Sequence, residues 1–322
     1  MRWVIATVGL ALALAPAANA QDESYPTQPV RLIVPSLVGG NPDVLGRMLA
    51  ERFSGIFGKP FIVENVPGAG TAVAANMAAK APPDGYMLLF GDSGALAINP
   101  ALKSDLGYDP IKDFAPVTAL ASVPTILVAN PAVPAASLAE FIALAKKGPG
   151  RISYGSAGVG SIHHLTMAIF ADRTGIDVLH VPYRAGSAMV NGLLTSEIEV
   201  GWSGIPNVMS LIASGQLRAY CISVLQRSPS MPTVPTCDEL GVKGFDVATV
   251  MGMSAPAGTS PKIIARLQAE TAKVMREPAM AARMQQLGMV REENGTASYA
   301  KFVTDDLERY ATIVRKLDLQ IK

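Results

Sequence analysis

The chain alternates between short runs of apolar, β-branched residues and longer stretches with apolar residues at helical spacing. From Pro29 onward this pattern predicts a strand at 30–35, a helix at 43–53, a strand at 61–65, a helix at 71–81 and a strand at 86–90. Strands that alternate with helices in this way are typical of an α/β fold with mostly parallel sheets. We therefore assign the chain to the α/β class.

A second series with the same alternation begins after Phe114. An apolar segment over 114–128 and a helix over 137–147 lead to predicted strands near 152–154, 178–182, 198–202 and 217–224. Residues 251–256 have the pattern of a returning strand, and three helices are predicted after them. Apolar stripes such as Ile263, Ile264, Leu267, Thr271 and Val274 are expected to face the core.

The first twenty residues have the pattern of a secretory signal peptide. Arg2 precedes an apolar run at 3–15, and Ala18-Asn19-Ala20 ends the segment. This predicts cleavage after Ala20 and a soluble periplasmic protein, with an uncleaved membrane anchor as the alternative. The 302 residues that remain exceed what one hydrophobic core usually supports, so we expect two lobes. Residues 21–118 with 245–322 are predicted to form lobe 1, and 119–244 lobe 2.

Composition and charge exclude several classes of function. Hydrophobic residues make up 49% of the chain and charged residues 16%, which is typical of a packed globular protein. The 27 Lys and Arg residues nearly balance 26 Asp and Glu, and loss of Arg2 would make the mature charge zero. Nothing in this balance attracts nucleic acid or an anionic membrane.

Cys221 and Cys237 are the only cysteines in the sequence. In an oxidising compartment they can pair across the proline-rich segment between them. The alternative is that Cys221 is a buried strand residue and Cys237 a separate small hydrophobic residue. The sequence leaves both interpretations open.

Motifs for catalysis and cofactor binding are incomplete. Gly91-Asp92-Ser93-Gly94 resembles the nucleophile segment of chymotrypsin-type proteases, but all three histidines follow Ser93, which is the wrong order. No Gly-x-Ser-x-Gly elbow occurs. Gly68-Ala69-Gly70 resembles the start of a dinucleotide fingerprint, but Val73 stands where a third glycine is needed.

The adjacent His163 and His164 do not predict a metal site. Neighbouring residues on a helix point about 100° apart, and no carboxylate cluster supplies further ligands. A capping or orienting role suits His164 better. We expect no metal, no cofactor and no catalytic centre.

Three early strands end in loops rich in Gly and small polar residues, near 36–43, 67–70 and 91–94. Ligands of open α/β sheets bind beyond the carboxyl ends of strands, where such loops gather. Helix N-termini in these loops provide unpaired N–H groups and a dipole that favours an anion. The sequence thus predicts an anion-binding cleft.

Motifs along nearly the whole mature chain are similar to those of one known family. In order they are Tyr25-Pro26-x-x-Pro29-Val30-Arg31-Leu32-Ile33-Val34-Pro35, Gly39-Gly40-x-x-Asp43, Glu64-Asn65-x-Pro67-Gly68-Ala69-Gly70, Pro83-Asp84-Gly85-Tyr86, Ala97-Ile98-Asn99-Pro100, Tyr108-Asp109-Pro110, Lys112-Asp113-Phe114-Ala115-Pro116-Val117, His180-Val181-Pro182-Tyr183, Arg227-Ser228-Pro229, Pro232-x-Val234-Pro235-Thr236 and Ala255-Pro256-Ala257-Gly258-Thr259. The chain resembles the solute-binding proteins of the tripartite tricarboxylate transporter family, also called Bug receptors. The number and order of the motifs make the resemblance specific.

The resemblance implies a two-lobed periplasmic binding protein of type II-like architecture, with a ligand cleft and crossover strands between the lobes. It implies a monomer that closes on a small carboxylate, such as a di- or tricarboxylate, an acidic amino acid or an aromatic acid. Membrane permease subunits would be its partners, and no nucleic acid or cofactor is implied.

The resemblance also places the ligand loops on this sequence. The corresponding residues are Ser36, Leu37, Gly39, Gly40, Asp43, Asp92, Ser93, Ser156, Gly160, Ser161, His164, Tyr183, Gly186, Ser187 and Ser203. The groups expected to hold one carboxylate are those of Ser156, Gly160 and Ser161, helped by Tyr183, Gly186 and Ser187. Asp43 is expected to orient its loop or bind a water rather than touch an anion.

The first loop departs from the family pattern, which usually carries an aromatic residue or Ala before a proline-rich glycine run. Here it reads Ser36-Leu37-Val38-Gly39-Gly40-Asn41-Pro42. This more apolar wall leads to the hypothesis that Leu37, Val38 and Trp202 favour a ligand with an apolar or aromatic body.

Two other functions are considered. A secreted hydrolase on a similar scaffold would lose turnover on Ser93→Ala or Ser161→Ala. A signalling receptor would present its closed form to a sensor protein instead of a permease.

Overall fold

The computed structural model describes residues 24–68, 71–292 and 295–319. The predicted signal peptide and its cleavage site lie outside these residues. Within them, no helix combines the length and apolar character needed to span a bilayer.

The first part of the chain alternates strands and helices, as predicted. The elements are β1 (Val30–Val34), α1 (Asn41–Phe57), β2 (Phe61–Asn65), α2 (Ala72–Ala79), β3 (Met87–Asp92), a π-helical segment (Gly94–Ile98), α3 (Asn99–Leu102) and β4 (Phe114–Ala129). The helix that starts at Asn41 begins with Pro42 in its first turn, where a missing N–H costs nothing, and ends at Gly58 with φ +68°.

The strands and helices predicted after Phe114, and the returning strand predicted at 251–256, are also present. The second series comprises α4 (Leu138–Lys147), β5 (Ser153–Ser156), α5 (Ile162–Thr174), β6 (Leu179–Pro182), α6 (Gly186–Leu194), β7 (Val200–Gly204), α7 (Ile205–Ala213) and β8 (Arg218–Ile222). The chain then returns through β9 (Ala248–Pro256) and ends with α8 (Pro261–Val274), α9 (Pro278–Gln286), β10 (Val290–Arg291) and α10 (Thr296–Lys316).

The strands form one mixed sheet with the order β2-β1-β3-β9-β4-β7-β5-β6, and β8 and β10 also pair with β4. Pairs within β2-β1-β3 and within β7-β5-β6 are parallel, whereas β4 and β9 run antiparallel to their neighbours. The long strand β4 belongs to both halves: residues 114–124 pair with β9, and residues 125–129 pair with β7 and β8. The half-sheet that contains β1 to β3 defines the first lobe, and the half-sheet that contains β5 to β7 defines the second.

Ser223 ties together the two places where the chain crosses between lobes. Its side chain is fully buried; its hydroxyl accepts the N–H of Thr125 at 2.9 Å and donates to the carbonyl of Val247 at 2.6 Å. The Val247 N–H donates in turn to the Ser223 carbonyl at 2.7 Å. The strand pairing changes partner at this point, between residues 124 and 125, whereas the predicted lobe boundary lies at 118/119. The residue ranges of the lobes stay a prediction.

Each lobe has its own aromatic core. In the first lobe Phe53 and Phe61 lie 5.0 Å apart, and in the second Trp202 stacks on Phe245 at 5.5 Å. The predicted stripe of α8 is buried throughout. Helix α10 contributes to both lobes, because Tyr299 packs in the first lobe and Tyr310 in the core that holds Trp202.

Cys221 and Cys237 form a disulfide bond with a Cα–Cα distance of 5.0 Å. The sequence left this pairing open. The bond joins β8 to the start of the return segment, 16 residues later. By chain entropy, closure of a loop of this length stabilises the native state by about 3 kcal/mol.

Candidate functional site

The carboxyl ends of the parallel strands of the two lobes face each other across a cleft. A cavity of ≈ 370 Å³ lies between them. The end of β3 and the segment that follows it, together with β9, line it with Asp92, Gly94, Ile98, Asn99, Leu102, Lys103 and Thr249, and the segment that follows β5 lines it with Val159, Gly160, Ser161 and Ile162. Three predicted site residues therefore meet here: Asp92, Gly160 and Ser161.

The loop between β5 and α5 is held by hydrogen bonds within itself. The Gly158 carbonyl accepts the hydroxyls of Ser156 at 3.0 Å and Ser161 at 2.7 Å, and also the Ser161 N–H at 3.2 Å. The Gly158 N–H donates back to the Ser156 hydroxyl at 3.1 Å. The hydroxyls predicted to hold a carboxylate thus have partners inside the loop, and they shape it.

Two histidines support this loop from behind. The His164 Nδ1 accepts the Gly160 N–H at 3.1 Å, and the His180 Nε2 shares a 2.7 Å hydrogen bond with the Ser156 hydroxyl. The two imidazole rings stack at 4.0 Å with an angle of 4° between their planes. The Tyr154 ring lies 4.8 Å from that of His180 and 6.3 Å from that of His164. His164 thus contacts the loop through Gly160, its orienting role stays a prediction, and His180 was not among the predicted site residues.

The N-terminus of α5 is the part of this loop that is open to an anion. Ser161 caps the helix by accepting the His164 N–H at 3.3 Å. The N–H groups of Ile162 and His163, at the first two helical positions, have no acceptor within the helix because no preceding turn exists. Ile162 lines the cleft cavity. The positive end of the helix dipole adds about 0.3 to 1 kcal/mol for a bound anion.

His163 lies on the side of α5 that faces α6. Its Nδ1 is buried and has no hydrogen-bond partner, and its ring lies next to Gly186. Burial lowers the pKa of His163 to about 4. The ring is therefore neutral at ordinary pH.

Asp92 and Ser93 end β3 and begin the π-helical segment. The Asp92 carboxylate accepts the Ala95 N–H at 3.0 Å, and burial raises the pKa of Asp92 while hydrogen bonds from Ala95, Gly94 and Thr71 oppose that shift. The Ser93 hydroxyl is buried and accepts the Val250 N–H at 3.0 Å. Ser93 thus connects β3 to the return strand β9.

Lys103 is the cation of the cleft, and sequence reasoning missed it. It follows the four-residue helix α3, lines the cavity and is half-buried. Among the described residues it has no carboxylate partner within salt-bridge distance. The sequence feature that could have indicated Lys103 is its position shortly after the motif Ala97-Ile98-Asn99-Pro100. A cation without a partner opposite a helix N-terminus can hold an anion.

The loop between β1 and α1 lies at the corresponding edge of the first lobe but does not line the cavity. Asp43 holds it: one carboxylate oxygen accepts the Gly39 N–H at 2.8 Å, and the other accepts Asn65 and Arg47 at 2.9 Å. Leu37 and Val38 are 72% and 73% exposed. Ser36 and Gly40 are half-buried beside them. The Asp43 carboxylate thus holds this loop through the Gly39 N–H, and its predicted role in orienting the loop or binding a water stays a prediction.

The remaining predicted residues lie around the second-lobe edge. Gly186 and Ser187 form the first turn of α6, which begins without a side-chain cap. The Tyr183 ring packs on Gly192, and burial, together with the Glu197 carboxylate, raises the pKa of Tyr183. Ser203 is fully buried in β7. The structure brings none of these four into the cleft cavity.

The hypothesis that Trp202 contributes an apolar ligand wall is wrong. Trp202 is fully buried between Phe170 and Phe245, on the opposite face of β7 from Ser203. Residues alternate between the two faces of a strand, so Trp202 belongs to the core of its lobe.

The described residues contain no group of three His, Cys, Asp or Glu side chains placed to hold a metal ion. The polar side chains that line the cleft cavity are Lys103, Asn99, Ser161 and Asp92, whose carboxylate accepts the Ala95 N–H. Of the lining groups, the lysine and the N-terminus of α5 favour an anion.

Comparison with known proteins gives the family. A family model described as "TctC: Tripartite tricarboxylate transporter family receptor" matches residues 45–319. The protein BugT of Bordetella pertussis is 33% identical over 324 residues, covering 100% of this chain and 99% of BugT.

Two solved structures of Rhodopseudomonas palustris proteins have the same fold. MatC, solved with bound malate, is 29% identical with a TM-score of 0.73 and covers 90% of this chain and 100% of its own. A second protein, solved with adipate, is 29% identical with a TM-score of 0.76 and covers 90% of this chain and 97% of its own. The chain belongs to the receptor family of the tripartite tricarboxylate transporters.

Proposed function

We propose that this protein is a periplasmic receptor that binds a small carboxylate in the cleft between its lobes and delivers it to the membrane permease of a tripartite tricarboxylate transporter. The observation that carries the proposal is the position of Lys103 in the same cavity as the N-terminus of α5. A carboxylate between them would meet a cation on one side and free N–H groups on the other. MatC with malate and the second relative with adipate support this ligand class.

The size of the cavity favours a small ligand. Its volume of ≈ 370 Å³ is near the lower end of the range for ligand pockets, about 300 to 1,000 Å³. A dicarboxylate of four to six carbons suits this volume and can place its second carboxylate toward the first lobe. The loop at 36–43 then approaches when the lobes close around the ligand as a hinge motion. The predicted contacts of Ser36, Leu37, Gly39 and Gly40 belong to that closed state.

The protein is proposed to act as a monomer that leaves its ligand unchanged. The two serines that a hydrolase would use have other tasks: Ser93 accepts the Val250 N–H, and Ser161 caps α5. Neither has a histidine side chain as a hydrogen-bond partner. A receptor role needs only binding and closure, which these residues serve by fixing the walls of the cleft.

We propose that the first twenty residues direct export to the periplasm and are then removed by cleavage after Ala20. Mass spectrometry of the protein recovered from the periplasm is expected to give a chain that begins at Gln21. Recovery of the uncleaved chain with the membrane fraction would instead support the anchor.

The test of the receptor role is thermal unfolding of ligand-stripped mature protein with malate, adipate, citrate, glutamate and benzoate. Free ligand at about a hundred times its dissociation constant adds about 2.7 kcal/mol to stability, which is a clear rise in melting temperature. Lys103→Gln is expected to weaken this rise. Lys147→Gln, in a separate cavity of the second lobe, is the matched control and should not.

Recovery of the ligand separates the receptor from the alternatives. Intact ligand after incubation supports a receptor, and steady product formation that Ser93→Ala or Ser161→Ala abolishes supports a hydrolase. If no carboxylate raises the melting temperature of folded, ligand-free protein, the proposed function is wrong.

A further inference from the structure

The two ends of the loop at 156–161 depend on one pair of stacked imidazole rings. His180 reaches Ser156 at the start of the loop, and His164 reaches Gly160 near its end. Ser156 is fully buried, and His164 is 5% exposed. Neither ring lines the cleft cavity itself. They therefore act on a ligand only through the loop.

We propose that His180 and His164 are a pair of positioning residues that hold the carboxylate loop in shape while their stacked rings are neutral, so that protonation in acid loosens the loop and weakens ligand binding. The effect on binding rests on the proposed carboxylate function. The effect on the loop does not.

The geometry requires the neutral form of His164. Its Nδ1 accepts a hydrogen from the Gly160 N–H, so the proton of the neutral ring is on Nε2. Protonation of Nδ1 would place two donors 3.1 Å apart and break this contact. Gly160 has a φ of +77°, a conformation that glycine adopts without strain and other residues rarely adopt.

The stacking adds a second penalty for protonation. Two imidazolium rings at a centroid distance of 4.0 Å would repel each other in a buried site. Burial, and then the neighbouring His180, lower the pKa of His164 to about 4, and burial lowers the pKa of His180. Both shifts agree with rings that stay neutral while the loop is formed.

The charged and titratable groups around the pair offer little compensation. The second-lobe cavity behind the two rings is also lined by Tyr154 from β5, Asp172 from α5, Asp177 from the turn before β6 and Lys316 from α10. Asp172 is already paired with Lys316. Asp177 is the one carboxylate of that cavity without an ion pair in the described chain. Protonation of a ring is thus expected to release the loop rather than to create an ion pair between an imidazolium and a carboxylate.

The first experiment compares malate affinity of wild-type protein, His180→Gln, His164→Asn and the double variant at about pH 7.5 and about pH 4 by calorimetric titration. Gln reproduces the Nε2 position and Asn the Nδ1 position, and neither titrates. Malate also titrates in this pH range. Its titration changes the dissociation constants of variant and wild type by the same factor, so it cancels in their ratio. At about pH 7.5 both single variants should bind within about threefold of wild type. At about pH 4, where half of the free wild-type protein carries the extra proton on His164, the double variant should bind about twofold more tightly than wild type.

His180→Ala measures the positioning itself, because it removes both the stack and the bond to Ser156. It is expected to weaken malate binding about tenfold at either pH while the circular dichroism spectrum stays native. If His180→Ala does not fold, the pH profile of His180→Gln against wild type carries the test alone. Wild-type affinity in His180→Ala, or equal pH profiles for wild type and the double variant, would overturn the proposal.

A measurement without ligand separates this proposal from the proposed function. NMR of the free protein follows the imidazole signals of both histidines and the protection factor of the Gly160 N–H, which is the exchange rate of the unfolded chain divided by that of the protein at the same pH, between about pH 7.5 and about pH 4. We expect the protection factor of the Gly160 N–H to fall as the rings gain protons. Rings that titrate while the Gly160 N–H stays protected would refute the proposal, whether or not malate binds.

Discussion

The loops at 156–161 and 36–43 occupy equivalent positions, each at the carboxyl end of a parallel strand, yet they are built in different ways. The loop at 156–161 buries Ser156 completely and pairs its polar groups inside the lobe. The loop at 36–43 exposes Leu37 and Val38 by 72% and 73% and is held mainly through the buried Asp43. The second-lobe loop is thus fixed by internal hydrogen bonds, whereas the first-lobe loop leaves its apolar side chains in water.

This difference suggests a division of work between the lobes. A preformed anion-binding helix end costs no ordering entropy when a carboxylate arrives, so the second lobe suits first contact. An exposed apolar loop gains stability only when it is covered, so the first lobe suits closure over the ligand body. Loops of equivalent topology can therefore serve affinity and selectivity separately.

The largest expected contrast is in the pH range where each lobe loses stability. Burial lowers the pKa of His163 to about 4 from about 6.5, so the unfolded chain binds a proton that the native second lobe does not. This stability is fully present above about pH 6.5 and falls by about 3 kcal/mol as the pH drops to about 4. Urea unfolding at several pH values measures it.

Asp43 in the first lobe has the opposite dependence. Burial alone would raise its pKa, but Arg47, the Gly39 N–H and Asn65 lower it overall. Its contribution is therefore present above the ordinary carboxyl pKa of about 3.9 and is lost only below it. An unfolding free energy that stays constant between about pH 6.5 and about pH 4.5 would contradict the predicted difference between His163 and Asp43.

Matched serine substitutions give the next effect. Ser156→Ala leaves the Gly158 N–H and the His180 Nε2 without their buried partner and should lower the free energy of unfolding by about 2 kcal/mol. Ser36→Ala removes only a 3.2 Å contact to the Leu37 carbonyl and should change it by less than about 0.5 kcal/mol. Equal losses from the two variants would mean that the loops are equally preformed.

Asp43→Asn tests the attachment of the loop at 36–43. Both carboxylate oxygens accept hydrogens, so the amide group of Asn would point a donor at a donor. We expect a loss of about 1 kcal/mol. Hydrogen exchange of the Gly39 N–H should accelerate while that of Gly160 is unchanged. Acceleration at both positions would show that the two loops are not independent.

The smallest effect on stability is expected for the exposed apolar side chains. Leu37→Ser and Val38→Ser should change the unfolding free energy by less than about 0.5 kcal/mol, because both side chains are already in water. They should weaken binding of benzoate more than binding of citrate. Equal or tighter binding of citrate than of benzoate by the wild-type chain would remove the apolar-wall hypothesis.

Hydrophobic periodicity predicted the strand and helix series well, because strands β1 to β3 and helix α8 bury regular apolar faces. The loops at strand ends were also located, because Gly and small polar residues mark them. The periodicity could not reveal that β4 serves both lobes, which depends on the pairing of residues 114–124 and 125–129 with different strands.

Side-chain partners in the site were harder to predict. Lys103 gave no motif of its own, and its isolation from carboxylates is a property of the folded chain. In the sequence, His180 was only one residue of the motif at 180–183. Its stacking on His164 could not be predicted, because it brings together residues of β6 and α5. The sequence led us to expect that Trp202 contacts a ligand. Residues alternate between the two faces of β7, however, and Trp202 lies on the face that packs in the core. Sequence therefore located the cleft better than the groups that line it.

The most direct test of the central claim is titration of ¹⁵N-labelled, ligand-free protein with malate, followed by NMR of the backbone N–H groups. The account predicts saturable shifts concentrated at Ile162, His163 and the Gly94 to Lys103 segment, and their loss in Lys103→Gln but not in Lys147→Gln. Shifts confined to the cavity around Lys147, or none at saturating malate and adipate, would contradict a carboxylate site in the cleft.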